Sequence, residues 1–177
     1  MPAKLETESL LLRPMAGRYL SQILDIWTQP EIRRHLWGDK VISEERVALE
    51  IVRSEESFRS SGFGQWAVRR RKKRRVIGSC GLRWVPHTEH LEIVYCIHSG
   101  LWNNGYGTQA ARAVLAFAFD KLQLTLIHGR CARDNVASLR VLEKIGMRLG
   151  RPHAHKDCEG AHLSISRDEY GGASPPP

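Results

Sequence analysis

Leu91-Glu92-Ile93-Val94-Tyr95-Cys96-Ile97, with Leu101-Trp102-Asn103-Asn104-Gly105-Tyr106-Gly107-Thr108 just after it, is the stretch on which the fold turns. In the first run Leu91, Ile93, Tyr95 and Ile97 fall on one face and Glu92, Val94 and Cys96 on the other, the period of two that marks a strand. The second run carries two glycines and opens onto Ala110, Val114, Ala118 and Leu122, with Ala111, Leu115 and Phe119 beside them, the stripe of an amphipathic helix. Strand, Gly-rich turn and helix gather backbone N–H groups and the positive end of a helix dipole around one concavity, which suits an anion such as phosphate. A turn that uses glycine only for its φ angles is the competing reading. The spacing lacks the Gly-Lys-Ser/Thr of a P-loop and the third glycine of a dinucleotide fingerprint, so both nucleotide folds are disfavoured.

Outward from that stretch the patterns alternate. On the N-terminal side Leu10 to Arg13 reads as a strand ending at Pro14, and Leu20, Ile23, Leu24 and Trp27 as a helix that stops before Pro30, with a short helical turn after it. A longer helix is capped by Ser43, carries Val47, Ala48, Ile51, Val52 and Phe58, and ends at Gly62. Gly64 to Val68 and Val76 to Val85 read as antiparallel strands joined by a cationic turn. On the C-terminal side Leu124 to Cys131 is a further strand, and Asp134-Asn135 starts a helix with Leu139, Leu142 and Ile145 on its apolar side and Gly146 at its end. The expected class is α/β, a mixed and mostly antiparallel sheet flanked by helices. Residues 1–170 form one domain in this reading, and 171–177 a disordered tail poor in apolar groups.

Length and composition agree with one globular domain: 177 residues, 42% hydrophobic and 26% charged. The net charge of +8 is local, because setting aside the seven cations Arg69, Arg70, Arg71, Lys72, Lys73, Arg74 and Arg75 leaves 20 cations against 19 anions. A nucleic-acid footprint over a whole face is therefore not supported by composition. No apolar run approaches the roughly 18 residues that cross a bilayer, and Met1 to Glu6 lacks an apolar signal core, so the expectation is a cytoplasmic protein without membrane contact. Cys80, Cys96, Cys131 and Cys158 lie far apart without a Cys-x-x-Cys pair, which reads as free thiols.

Taken together, Trp102-Asn103-Asn104-Gly105-Tyr106-Gly107-Thr108-Gln109-Ala110 and Asn135-x-x-Ser138-x-Arg140-x-Leu142-Glu143-Lys144-x-Gly146-Met147 resemble the GCN5-related N-acetyltransferase (GNAT) superfamily. Leu10-Leu11-Leu12-Arg13-Pro14 and Ile26-Trp27-x-x-Pro30-Glu31 resemble its RimJ/RimL branch, the ribosomal-protein N-terminal acetyltransferases, and the likeness spans about residues 5–170. The resemblance implies acetyl-CoA bound in a V-shaped opening between the fourth and fifth strands, here Leu91 to Ile97 and Leu124 to Cys131. The pyrophosphate would rest on the amides of Asn103 to Thr108, and the pantetheine would run along Val94 to His98, past Cys96 and Ile97. Asn135 and Ser138 would reach the cofactor's arm; a helix cap is the other reading of Asn135. The chain departs from the family pattern at Trp102, often Gln or Arg, at Asn104, often basic or Gln, and at Leu142, where many relatives carry an acid-donating Tyr.

Acetyl transfer from a thioester needs a neutral amine, a stabilised oxyanion and a proton for the departing thiolate. Glu92, an acid in an apolar strand beside the opening, is the candidate base, with a buried acid paired to an arginine as the alternative. His98 is a second candidate base. Ser138 or a water serves as acid, since a thiol with pKa near 8.5 leaves without strong help. His87 and His90 read as turn residues, and His153, His155 and Cys158 as a surface loop with no metal. The acceptor is a primary amine, first a protein N-terminal α-amine and alternatively a small amine; a non-catalytic acyl-CoA-sensing or RNA-associated module is the rival class. The Arg69 to Arg75 run allows a solvated hairpin tip, an electrostatic contact to the ribosome or RNA, or capture of an acidic protein. Either a monomer or a homodimer is compatible.

Overall fold

The computed structural model describes residues 3–149 and 160–172. Its sheet has eight strands among those residues, in the order β1-β2-β3-β4-β5-β6-β8-β7. They are β1 (Leu5–Glu6), β2 (Leu10–Pro14), β3 (Gln65–Arg70), β4 (Val76–Trp84), β5 (Leu91–Ile97), β6 (Leu126–Cys131), β7 (Arg148–Leu149) and β8 (Ala161–Ser166). The helices are α1 (Leu20–Trp27), α2 (Pro30–Leu36), α3 (Glu44–Ser61), α4 (Tyr106–Ala116), α5 (Val136–Lys144) and α6 (Arg167–Gly172). All sheet neighbours pair antiparallel except β5 and β6. The expected class, mixed and mostly antiparallel with flanking helices, is what the structure has.

Helix ends follow local chemistry. Ser43 Oγ accepts the N–H of Arg46 at 3.3 Å, and α3 ends at Gly62, whose φ of +77° is left-handed. Asn135 Oδ1 accepts the N–H of Ser138 at 3.0 Å, so the cap reading of Asn135 holds. Two apolar cores lie on opposite faces of the sheet. Met15, Ile23, Trp27, Val47, Ile51 and Ala67 form one under α1 to α3. Leu12, Trp66, Ile93, Ala111, Leu115, Ile127 and Leu142 belong to the other, under α4 and α5. Fully burying a side chain of this size contributes roughly 1.5–3 kcal/mol.

Some boundaries differ from expectation. β1 precedes the first expected strand, so the implied fourth and fifth strands are β5 and β6. Arg69 and Arg70 belong to β3, after an irregularity at Val68/Arg69, so only residues 71–75 form the cationic turn. Helix α6 runs through Gly172, past the expected boundary at 170, and Tyr170 packs its ring on Phe119 at 5.0 Å. His153, His155, Cys158 and the tail residues 173–177 lie outside the described residues. No helix among the described residues is long and apolar enough to cross a membrane.

Candidate active site

Strands β5 and β6 pair only at Glu92↔His128 and Ile93↔Gly129, then part. From Val94 onward the edge of β5 that faces β6 has no strand on it, and antiparallel pairing with β4 uses only the other edge. The result is a V-shaped cleft of about 1110 Å³. Its lining includes Val94, Cys96 and Ile97, the loop Asn103, Asn104, Gly105, Tyr106, Gly107 and Thr108, and Asn135 and Ser138 from the start of α5. His98 stands outside that lining; its Nδ1 accepts the N–H of Gly100 at 3.1 Å, and its own N–H donates to Ile77 O.

The loop is held open by side chains that take up its carbonyls rather than its amides. Asn104 Nδ2 donates to the carbonyls of Leu101 and Trp102, and the Trp102 indole donates to Ile97 O at 2.7 Å. Among the described residues the N–H groups of Asn103, Asn104 and Gly105 have no hydrogen-bond partner, and the first-turn amides of α4 lack intrahelical acceptors by geometry. Trp102 and Asn104, two of the three departures from the family pattern, thus brace this loop. Gly105 has φ +73°, a conformation costly for other residues. At Gly107 a Cβ would meet Val141 and Ile97 at 3.8 and 3.9 Å, so a larger side chain there projects between β5 and α5. An anion-binding nest next to an open strand edge fits a pyrophosphate joined to an amide-bearing arm.

At the apex of the V, on the α1–α2 face, Glu92 is only 2% exposed. Its Oε1 accepts from Arg83 Nε at 2.7 Å and from Arg130 Nη2 at 2.9 Å, and its Oε2 from Arg130 Nε at 2.5 Å. Burial pushes its pKa up, but the hydrogen bond from Arg130 and the charges of Arg83 and Arg130 bring it below the ordinary carboxylate value. The arginine-paired reading of Glu92 therefore describes its surroundings, and an acid made basic by desolvation does not. Arg83 is its cross-strand neighbour on β4, and Arg130 lies on β6 two residues past the pairing with His128.

On the other face the Tyr95 hydroxyl lies 2.8 Å from Ser138 Oγ and donates to Ser138 O at 2.9 Å. Burial pushes the Tyr95 phenol pKa up, which keeps it protonated. Leu142, at the position where relatives carry Tyr, is 1% exposed and packs under Gly129, where a Cβ would come 2.8 Å from Leu142 Cδ2. Sequence reading missed Tyr95, Arg83 and Arg130. The alternation in β5 placed Tyr95 among apolar residues, and only the rule that a buried phenol needs a polar partner would have flagged it. The two arginines are adjacent to Glu92 only through strand register.

Residues 9–148 match the family described as acetyltransferase (GNAT) domain. The chain is 27% identical over 152 residues to the uncharacterized protein YkkB of Bacillus subtilis, covering 84% of this chain and 87% of YkkB. The acetyltransferase from Agrobacterium tumefaciens has the same fold, with TM-score 0.82, 22% identity, and 92% and 94% of the two chains covered. So do the ribosomal-protein-S5-alanine acetyltransferase from Vibrio fischeri (TM-score 0.75, 14% identity, 95% and 98% covered) and the aminoglycoside acetyltransferase AAC(6')-Ib in complex with coenzyme A (TM-score 0.75, 18%, 92% and 98%).

Proposed function

The chain belongs to the GNAT acetyltransferase family, whose members transfer an acyl group from acetyl-CoA, and on that premise we propose that it acetylates a primary amine, with a protein N-terminal α-amine as its acceptor. The observation that carries the choice of acceptor is the arginine-bound state of Glu92. A carboxylate held below its ordinary pKa is a weak base, so the amine must be substantially neutral by itself. At pH 7 roughly a tenth of an α-amine is neutral, against about one part in 2,500 of a lysine amine, from reference pKa values near 8 and 10.4. A small amine of similarly low pKa meets the same requirement and is the alternative acceptor.

In this reading the nest at Asn103 to Thr108 and the open edge of Val94 to Ile97 hold acetyl-CoA, and backbone N–H groups of that edge polarise the thioester carbonyl. As the amine attacks, its nitrogen becomes positively charged and more acidic than the free ammonium, and Glu92 takes its proton through a water, which returns it to solvent. Ser138 Oγ, held by the Tyr95 phenol, hydrogen-bonds the departing thiolate, which takes its proton from a water. Since the thiolate leaves readily, Tyr95→Phe is expected to lower kcat only about 3- to 10-fold, against the 100-fold or more of an essential acid. Stopped assays of kcat and KM for Tyr95→Phe and Ser138→Ala check this.

The acceptor is tested by CoA release with peptides bearing a free α-amine, the same peptides α-blocked but carrying lysine, and small amines. The free α-amine peptides are expected to be fastest; equal rates on blocked lysine peptides would overturn the α-amine assignment. No turnover on any amine would favour a non-catalytic acyl-CoA binder, a reading that the buried Leu142 supports.

The basic turn is read as a solvated hairpin tip. Residues 71–75 are exposed, and among the described residues Arg71 alone of these five has a side-chain ion pair or hydrogen bond, to Glu6 Oε2 at 3.1 Å and to Thr7 O. Replacing Arg71, Lys72, Lys73 and Arg74 by Ser is expected to leave both turnover on a free amine and salt-dependent ribosome binding unchanged. A flattened salt slope of ribosome binding would instead assign the run to a polyanion.

A further inference from the structure

The α1–α2 face of the cleft carries more positive charge than an amine site needs. An approaching ammonium is repelled by guanidinium groups, and here two of them meet at a buried carboxylate, Glu92. Arg83 is 44% exposed and lines the cleft, but its position is fixed: Nε is bonded to Glu92 Oε1 at 2.7 Å, and Glu92 lies directly across the strand pair. That single bond leaves both terminal nitrogens of Arg83 without a hydrogen-bond partner among the described residues. A guanidinium oriented through Nε presents its Nη edge as a ready-made fork for a carboxylate, with little side-chain entropy left to lose.

The opposite wall is supplied by α2, where Glu31 and His35 line the cleft, while Arg34 is engaged with Asp134 at 2.8 Å. Glu31 is the carboxylate there with no ion pair among the described residues. The floor offers a fixed cationic fork, and the wall an acid able to receive an ammonium before it loses its proton.

We infer that the acceptor carries an anionic group, a carboxylate close to the amine that is acetylated, and that Arg83 binds it through its terminal nitrogens. This deepens the amine-acetylation reading and rests on it. The carboxylate comes either from the side chain of an acidic first or second residue of a peptide, or from a small amino acid. In both cases it orients the amine toward the apex of the V, where β5 and β6 part. Glu92 positions Arg83 from below.

The experiment compares acceptors that differ in one charge, using the whole chain, acetyl-CoA and measured CoA release. One arm uses peptides with Asp or Asn, and Glu or Gln, in the first two positions. The other uses small amino acids against their amides, at equal concentrations of neutral amine. In at least one arm the acidic member is expected to have a kcat/KM about 10- to 100-fold higher, mostly through KM, the range of a charge-assisted hydrogen bond. Arg83→Gln is expected to shrink that ratio to within about threefold of one, while Arg83→Lys retains part of it. Salt should weaken the preference in the parent chain. Equal kcat/KM for acidic and amide members in both arms, with turnover present, would overturn this inference and leave the amine-acetylation reading standing. A preference that survives Arg83→Gln unchanged would overturn the assignment to Arg83. Absence of turnover on every amine would overturn the underlying reading and this inference with it.

Discussion

Gly105→Val is expected to abolish CoA binding in calorimetry while the chain remains folded. The residue sits at φ +73° at the start of α4, where a β-branched side chain is strained regardless of the free space around it. Relieving that strain means turning the loop, and turning it moves the amides of Asn103 to Thr108 out of their common concavity. Gly107→Val acts by a different route. There the backbone tolerates the change, but the side chain enters the space between Ile97 and Val141 along the open edge of β5. Both variants should lose binding by more than about 100-fold, the scale of losing several charge-assisted hydrogen bonds at once. CoA affinity equal to that of the parent chain in Gly105→Val would remove the loop from the binding site.

Glu92→Gln has the second largest expected effect, a fall in turnover at neutral pH of about 10- to 1,000-fold with CoA affinity nearly unchanged. The amide keeps the shape but takes away the proton acceptor and the counter-charge of Arg83 and Arg130. Stability should fall too, and its pH dependence has a definite sign. The folded-state pKa of Glu92 lies below the ordinary value of 4.5, so the ion trio stabilises the fold fully above about pH 4.5 and ceases to do so as pH falls through the folded pKa. Acid unfolding of the parent, followed by circular dichroism, should show this loss below pH 4.5, and the variant should lack it. In kinetics, the rise of kcat/KM between about pH 6 and 9 should follow the acceptor amine and be shared by both proteins. Full turnover in Glu92→Gln would leave Glu92 a structural role only.

What could be read in the sequence and what could not divides along the range of the interactions. The alternation of Leu91 to Ile97, the caps Ser43 and Asn135, the terminators Gly62 and Gly146, and the glycine loop before α4 are all set by neighbours within a turn or a hairpin. They stand in the structure close to where local chemistry puts them. The surroundings of Glu92 were not legible in the same way. Its neighbours Arg83 and Arg130 are 9 and 38 residues away, and they meet it through the β4–β5 register and one short parallel pairing. A one-residue slip in either strand would put the arginine on the other face. Tyr95 was hidden for a related reason: its backbone belongs to an apolar pattern, and its partner Ser138 comes from a helix 43 residues on. The two-residue strands β1 and β7 carry too little pattern to be recognised alone. The basic run spans a strand end and a turn because charge says nothing about where β3 stops.

One measurement is decisive: transfer of labelled acetyl from acetyl-CoA to an acceptor peptide with a free α-amine, followed together with CoA release by mass spectrometry. The predicted result is one acetyl group per peptide, located on the α-amine and matched by an equal amount of free CoA. Release of CoA at the rate seen without peptide, with no acetylated amine formed while acetyl-CoA still binds, would contradict it.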